Sequence, residues 1–384
     1  MTAPTLFRKK HIITALLPFL ALSTTLMFAA TPVRADSVIA TLAAISARAM
    51  ALNPVTNKVY TASNGGVAVV DGATNIVTTI AGGSFGAVAV NPVTNIIYAA
   101  GHRGGVLVID GAGASPPMWI EPSVGGIVVG GIVVNPVTNK IYVSSSSYGC
   151  QSSNVVTVID GFTNTATLVT VGGTQHVPGS QLSNIAVNPV TNQIYVANSC
   201  SNDVTVIDGL TNSTTTVTAG TTPFAVAVNP ATNQIYVANS DSHDVTVING
   251  VNNSTGTVAV GSYPRDITLN PVTNKIYVMN RYSNNVTVID GFTNSSSTVA
   301  AGYYPRDIAL NPVTNKIYVA NDGDVTVIDG ATHTTSTLAL DTYSLNKIVV
   351  NPATNRIYTA TRAAGYAWVI AGDANYNFCG FPSP

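Results

Sequence analysis

Arginine and aspartate recur in this chain at one fixed offset. Five residues ahead of an Asn-Pro pair stand Arg48, Arg265 and Arg306, and four residues ahead stand Asp266, Asp307 and Lys347. Tyr263 and Tyr304 each lie two residues before one of these arginines, and Arg281-Tyr282 follows one of the same Asn-Pro pairs. A guanidinium presents a rigid fork of donors suited to oxyanions, and tyrosine presents broad area with one directed hydrogen bond. The group therefore suits a polar site for an anionic or hydroxylated ligand. A second reading is that Arg265-Asp266 and Arg306-Asp307 form ion pairs between repeats and only hold the structure together.

Other chemistry is sparse. His102, His176, His243 and His333 are scattered without metal-ligand spacing, so no metal site is expected. There is no G-x-S-x-G elbow and no phosphate loop, and the glycines track turns. Asp373, Asn375 and Asn377 imitate the opening of a calcium loop, but the central glycine and closing glutamate are missing. No catalytic residue and no cofactor is assigned. Cys150 and Cys200 fall in corresponding loops of adjacent repeats, where an exported protein would form a disulfide, which leaves Cys379 over.

The elements that must position these residues follow from a repeat. N-P-(V/A)-T-N begins at Asn53, Asn91, Asn135, Asn188, Asn229, Asn270, Asn311 and Asn351, at spacings of 38, 44, 53, 41, 41, 41 and 40 residues. Ala225 to Gly261 holds four runs of period-two alternation between turn signals, the content of a four-stranded blade rather than a helical pair. Proline presets the second turn position, the leading asparagine can bond its own backbone, and the closing asparagine tolerates a left-handed conformation. Asp-Gly pairs such as Asp208-Gly209 and Asp290-Gly291 are expected to do the same for the next hairpin. Charged residues are only 9% of the chain and Glu121 is the only glutamate, which disfavours solvated helices.

The fold predicted is an all-β propeller of eight four-stranded blades, with a seven-bladed ring and one degenerate unit as the alternative. The eighth unit has strands A (Ile348 to Val350), B (Arg356 to Ala360) and C (Tyr366 to Ile370) but a poor D strand in its tail. Val38 to Leu42 has the missing strand's character, so the N-terminal strand should complete the last blade and close the ring. Strand order then places the A-B and C-D turns on one face. The variable B-C and D-A loops occupy the other, with Tyr148, Tyr263, Tyr282, Tyr303, Tyr304, Tyr343 and Tyr366. The eight strand-B tyrosines, Tyr60 to Tyr358, should be packed with satisfied hydroxyls.

The strings N-P-V-T-N-K-I-Y-V-A-N and V-T-V-I-D-G resemble the YVTN family of β-propeller repeats, found in secreted bacterial and archaeal surface-layer proteins. The resemblance spans the chain from residue 36 onward and rests on residues that build turns and strands, so it speaks to fold more than to function. It implies kinship with a periplasmic propeller that binds DNA and, more distantly, with lactonases and quinoprotein subunits.

Arg8, Lys9 and Lys10 precede an apolar run from Ile12 to Ala30, and Val33-Arg34-Ala35 is a small-x-small cleavage pattern. Residues 1–35 therefore read as a signal peptide, 36–372 as one propeller domain and 373–384 as a tail. An uncleaved anchor is the alternative, but Pro18, Ser23, Thr24 and Thr25 dilute the run, and no later segment is long and apolar enough to span a bilayer. Removing the segment leaves 12 basic against 17 acidic residues, a net charge of −5, which opposes generic binding to nucleic acid. The expected function is a secreted, periplasmic or cell-surface binding scaffold recognising a protein, small molecule or glycan through its B-C/D-A face. A lactonase-like or quinoprotein-like enzyme at the channel mouth and a DNA-binding propeller are the alternatives.

Overall fold

The computed structural model describes residues 35–43, 45–101, 105–121, 128–146, 154–172, 184–340, 342–362 and 365–373. Residues 1–34 of the predicted signal peptide, Cys150, Cys379, His102, His176, Tyr148 and Tyr376 lie outside these residues.

Eight four-stranded antiparallel sheets form, each in sequential A-B-C-D order except the last. Blade 5 is typical: A is Pro223–Asn229, B Gln234–Asn239, C Asp244–Asn249 and D Thr255–Ala259. The innermost A strands adjoin one another around the ring, and that of blade 8 adjoins that of blade 1. Blade 8 takes its fourth strand from the N-terminal side: Ser37–Ala43 pairs antiparallel with Tyr366–Ala371, matching Leu42 with Ala367. The closing strand expected at Val38 to Leu42 is therefore present, and the count is eight.

The hydrophobic core is a series of layers between blades rather than one centre. In one layer Ala225, Tyr236, Val245 and Val258 of blade 5 meet Ile267, Ile276 and Ile289 of blade 6. Period-two alternation on two-sided sheets produces this, because each blade offers both faces to neighbours. Each strand-B tyrosine is at most 1% exposed. Tyr195 and Tyr236 donate to Gln193 and Gln234 two residues back, and burial pushes both phenols up to about 12. The hydroxyls of Tyr60, Tyr142 and Tyr277 meet no protein partner within hydrogen-bond distance, so satisfaction is not general as expected.

The Asn-Pro turns do more than turn. Asn311 Oδ1 accepts from the backbone N–H of Val313 at 3.0 Å, while its Nδ2 donates to Asn355 Oδ1 of the next blade at 2.8 Å. The same side-chain bond joins Asn53 to Asn95, Asn91 to Asn139, Asn135 to Asn192, Asn188 to Asn233, Asn229 to Asn274, Asn270 to Asn315 and, closing the circle, Asn351 to Asn57. The closing asparagines are left-handed, as expected, with φ near that of Asn315 at 52°. The Asp-Gly pairs behave differently from expectation. The left-handed residue of the C-D turn is the later asparagine, such as Asn294 at φ 56°, and not the glycine. Gly291 is required for room instead, since a Cβ there would lie 2.5 Å from Asn274 Oδ1.

Candidate binding site at the channel mouth

Among the described residues, the one five before each Asn-Pro sits where strand A begins. In blades 2, 3, 5, 6 and 8 the A-B register slips there, with Gly86, Gly130, Phe224, Arg265 and Asn346 as the unpaired residue. Such a bulge turns a side chain off the sheet's alternation. In blades 1 and 7 the backbone N–H groups of Arg48 and Arg306 instead bond back to strand B, at Ala62 and Ala320. Arg48, Gly86, Phe224, Arg265, Arg306 and Asn346 from these positions, with Val129 and Asn184 from blades 3 and 4, line one cavity of about 330 Å³. Asp266, Arg281, Lys347 and Arg362 complete it.

Every charged residue predicted for the site is near this mouth, but the pairings differ from those expected. Arg306 binds Asp322 of its own blade with two bonds, Nε to Oδ1 at 2.6 Å and Nη2 to Oδ2 at 3.2 Å. Asp307 bonds across the blade boundary, accepting from Lys347 Nζ at 2.6 Å and from the Ile348 N–H at 2.7 Å. At this mouth one inter-blade ion pair is thus present among the described residues, but it is not Arg306-Asp307. Nor does Arg265 pair with Asp266, because consecutive residues of a strand project to opposite sides. The Arg265 guanidinium carbon lies over Phe224, 3.4 Å from the ring centroid, and its Nη1 donates to the Tyr263 hydroxyl at 3.3 Å. Burial pulls its pKa down, and among the described residues it makes no ion pair.

Asp266 and Lys347 respond to the same crowding. Burial, and then the charge of Asp307, push Asp266 up to about 8, so the carboxyl is mostly protonated at neutral pH. Burial works against the charge of Lys347, but Asp307 and Asp266 beside it hold its pKa above the usual lysine range.

On the rim, Tyr263 and Tyr282 stack with centroids 4.2 Å apart, and Tyr304 follows at 6.2 Å and Tyr303 at 6.0 Å beyond it. Arg281 lies 4.2 Å over the Tyr304 ring, and its Nε is buried without a partner. Tyr282 and Tyr303 are 58% and 69% exposed. Tyr263 and Tyr304 are left-handed, at φ 59° and 53°, a conformation that is unfavourable for a bulky side chain. Thr222 and Ser344 take the same conformation at the same offset in blades 5 and 8. The repeat therefore imposes the backbone, and blades 6 and 7 alone of these four place tyrosine on it.

Sequence reasoning missed Phe224, Asp322 and Arg362. Phe224 holds the same offset as Arg265, while Asp322 and Arg362 hold the offset of Arg281 in blades 7 and 8, so counting from each Asn-Pro at that second offset finds them. Tyr366 opens strand C rather than lying in a loop, and Tyr343 is 91% exposed. Cys200 is buried and its sulfur is in a disulfide, whose other half lies outside the described residues.

No protein-family model matches the chain, and no curated protein matches it. Among solved structures it is similar to Sqt1 of Saccharomyces cerevisiae, with a TM-score of 0.71 over 88% of this chain and 99% of that one. At 11% identity that likeness shows the propeller fold alone.

Proposed function

We propose that this chain is an exported, non-enzymatic binding propeller of the YVTN-repeat kind, which holds a partner or ligand on its B-C/D-A face over blades 6 and 7. The carrying observation is the tyrosine and arginine cluster in which Tyr282 and Tyr303 are exposed and Tyr263, Tyr304 and Arg281 are half-buried behind them, where no fold requirement asks for it. Propellers commonly serve as binding scaffolds, and aromatic and arginine side chains dominate contact surfaces by area and directed bonding. The basic and apolar pattern of residues 1–35 supports export. The net charge of −5 beyond it argues against a nucleic-acid role.

The test compares immobilised wild-type protein with a Tyr282→Ser/Tyr303→Ser variant and with Lys58→Ala on the opposite face, probed with glycan arrays and cell-envelope fractions. A ligand held by wild type and by Lys58→Ala but released by the tyrosine variant is expected. Equal retention by all three would refute the reading.

A further inference from the structure

We infer that the channel mouth binds a compact, multiply charged oxyanion, carboxylate or phosphate in chemistry, with Arg265 and Arg281 as its direct donors. The inference rests on the binding role proposed for this face and names what enters its centre.

Three observations carry it. First, cations outnumber their counter-ions. Arg306 and Lys347 have Asp322 and Asp307, whereas Arg265 and Arg281 have aromatic rings beneath them and no carboxylate in ion-pair contact among the described residues. A guanidinium stays charged, so one drawn out of water without an anion is unfavourable until an anion arrives. The buried, unpartnered Nε of Arg281 is the same deficit at one atom.

Second, the two kinds of basic residue are sorted. Seven arginines follow Asp36, and Arg48, Arg265, Arg281, Arg306 and Arg362 line this single cavity. Arg356 bonds Gly72 O at the other face, and Arg103 lies outside the described residues. Of the five lysines after Asp36, Lys58, Lys140, Lys275 and Lys316 begin strand B at that other face, where Lys275 pairs Asp290 and Lys316 pairs Asp36. Lysine would supply charge equally well, so collecting arginine here selects the fork that grips two oxygens at once.

Third, size and field agree. About 330 Å³ lies at the small end of ligand cavities, room for a small polyanion or one charged end group but not a duplex. A concentrated positive mouth on an otherwise acidic chain focuses attraction on that point.

Isothermal titration of the purified protein at low ionic strength, with inorganic pyrophosphate and with citrate as probes, tests this. One-to-one binding of at least one probe with a Kd below about 100 µM is expected, weakened about tenfold or more by Arg265→Ala and by Arg281→Ala. Arg265→Lys, which keeps the charge, should also weaken binding and guards against misfolding of the alanine variant, while Lys58→Ala should not. No binding of either probe, or equal loss with Lys58→Ala, would overturn the site. Saturating pyrophosphate that releases a ligand captured by the tyrosine rim would identify the anion as that ligand's end group; binding without release would identify a free small anion. Failure of titration with intact capture would refute the oxyanion alone, and intact titration with capture unchanged by the tyrosine substitutions would refute the rim alone.

Discussion

The two faces of this ring are built from the same eight repeats and treat them in opposite ways. On the Asn-Pro face each blade spends its turn residues on its neighbour, through a circle of eight asparagine-to-asparagine bonds. On the other face the same offsets hold arginine, aspartate, lysine, phenylalanine, glycine or asparagine. Uniformity on one side fixes blade spacing and so frees the other side to vary without loosening the ring. Function that is localised belongs to the varied side.

The sharpest way to break the uniform side is to open the ring. Deleting Asp36–Ala43 removes Leu42, 7% exposed against Val369 and Tyr358, and strips Lys316 Nζ of the Asp36 carboxylate 3.0 Å away. Lost packing costs about 2–5 kcal/mol, and Lys316 loses the nearer of its two carboxylates and keeps only Asp373 at 3.7 Å, so the melting temperature should fall further than for any point substitution. An unchanged melting curve would mean that the closing strand contributes nothing. Next in size is Asn311→Ala, which removes a fully buried latch and two turn caps, for about 1–3 kcal/mol by denaturant unfolding. Asn188→Ala should cost the same, since it has the same three bonds. A large difference between the two would show that the latches are not equivalent.

These residues also mark what could be read from sequence and what could not. Blade number, strand order and closure were legible because period-two alternation and turn chemistry are local. The latch was not, because the turn requirement explains an asparagine at each end of N-P-x-T-N without revealing that one amide donates to another 42 to 57 residues away, or 294 away where the ring closes. At the mouth, the offset brings Arg265, Asp266, Arg306, Asp307 and Lys347 together, while adjacency misled about pairing. Neighbours along a strand diverge, and the bulge at Arg265 redirects it toward Phe224 of another blade. Arg306 found Asp322 across a hairpin, a contact only strand register discloses.

The varied side offers a pH test with a definite sign. Asp266 has a folded pKa near 8, above its unfolded value, so the folded state holds more protons and stability declines as pH rises from about 4 toward 8. Burial drives the shift; of the facing groups, the charge of Asp307 adds to it and Lys347 opposes it. Asp266→Asn should remove that decline: its melting temperature should match wild type near pH 4 and exceed it at pH 8. Parallel profiles would place the protonated carboxyl elsewhere.

The smallest expected effect discriminates best between the faces. Tyr304→Asn exchanges a bulky left-handed residue for one that tolerates φ near 53°, relieving about 1 kcal/mol of backbone strain. It forfeits the Arg281 contact at 4.2 Å and the stacking on Tyr282 and Tyr303, together about 0.5–1.5 kcal/mol. The two nearly cancel, so stability measured by denaturant unfolding should stay within about 0.5 kcal/mol of wild type while ligand retention falls. A tyrosine kept for the fold would behave like Asn311 and lower stability. One kept for contact leaves the ring as stable as before and costs only what the ring holds.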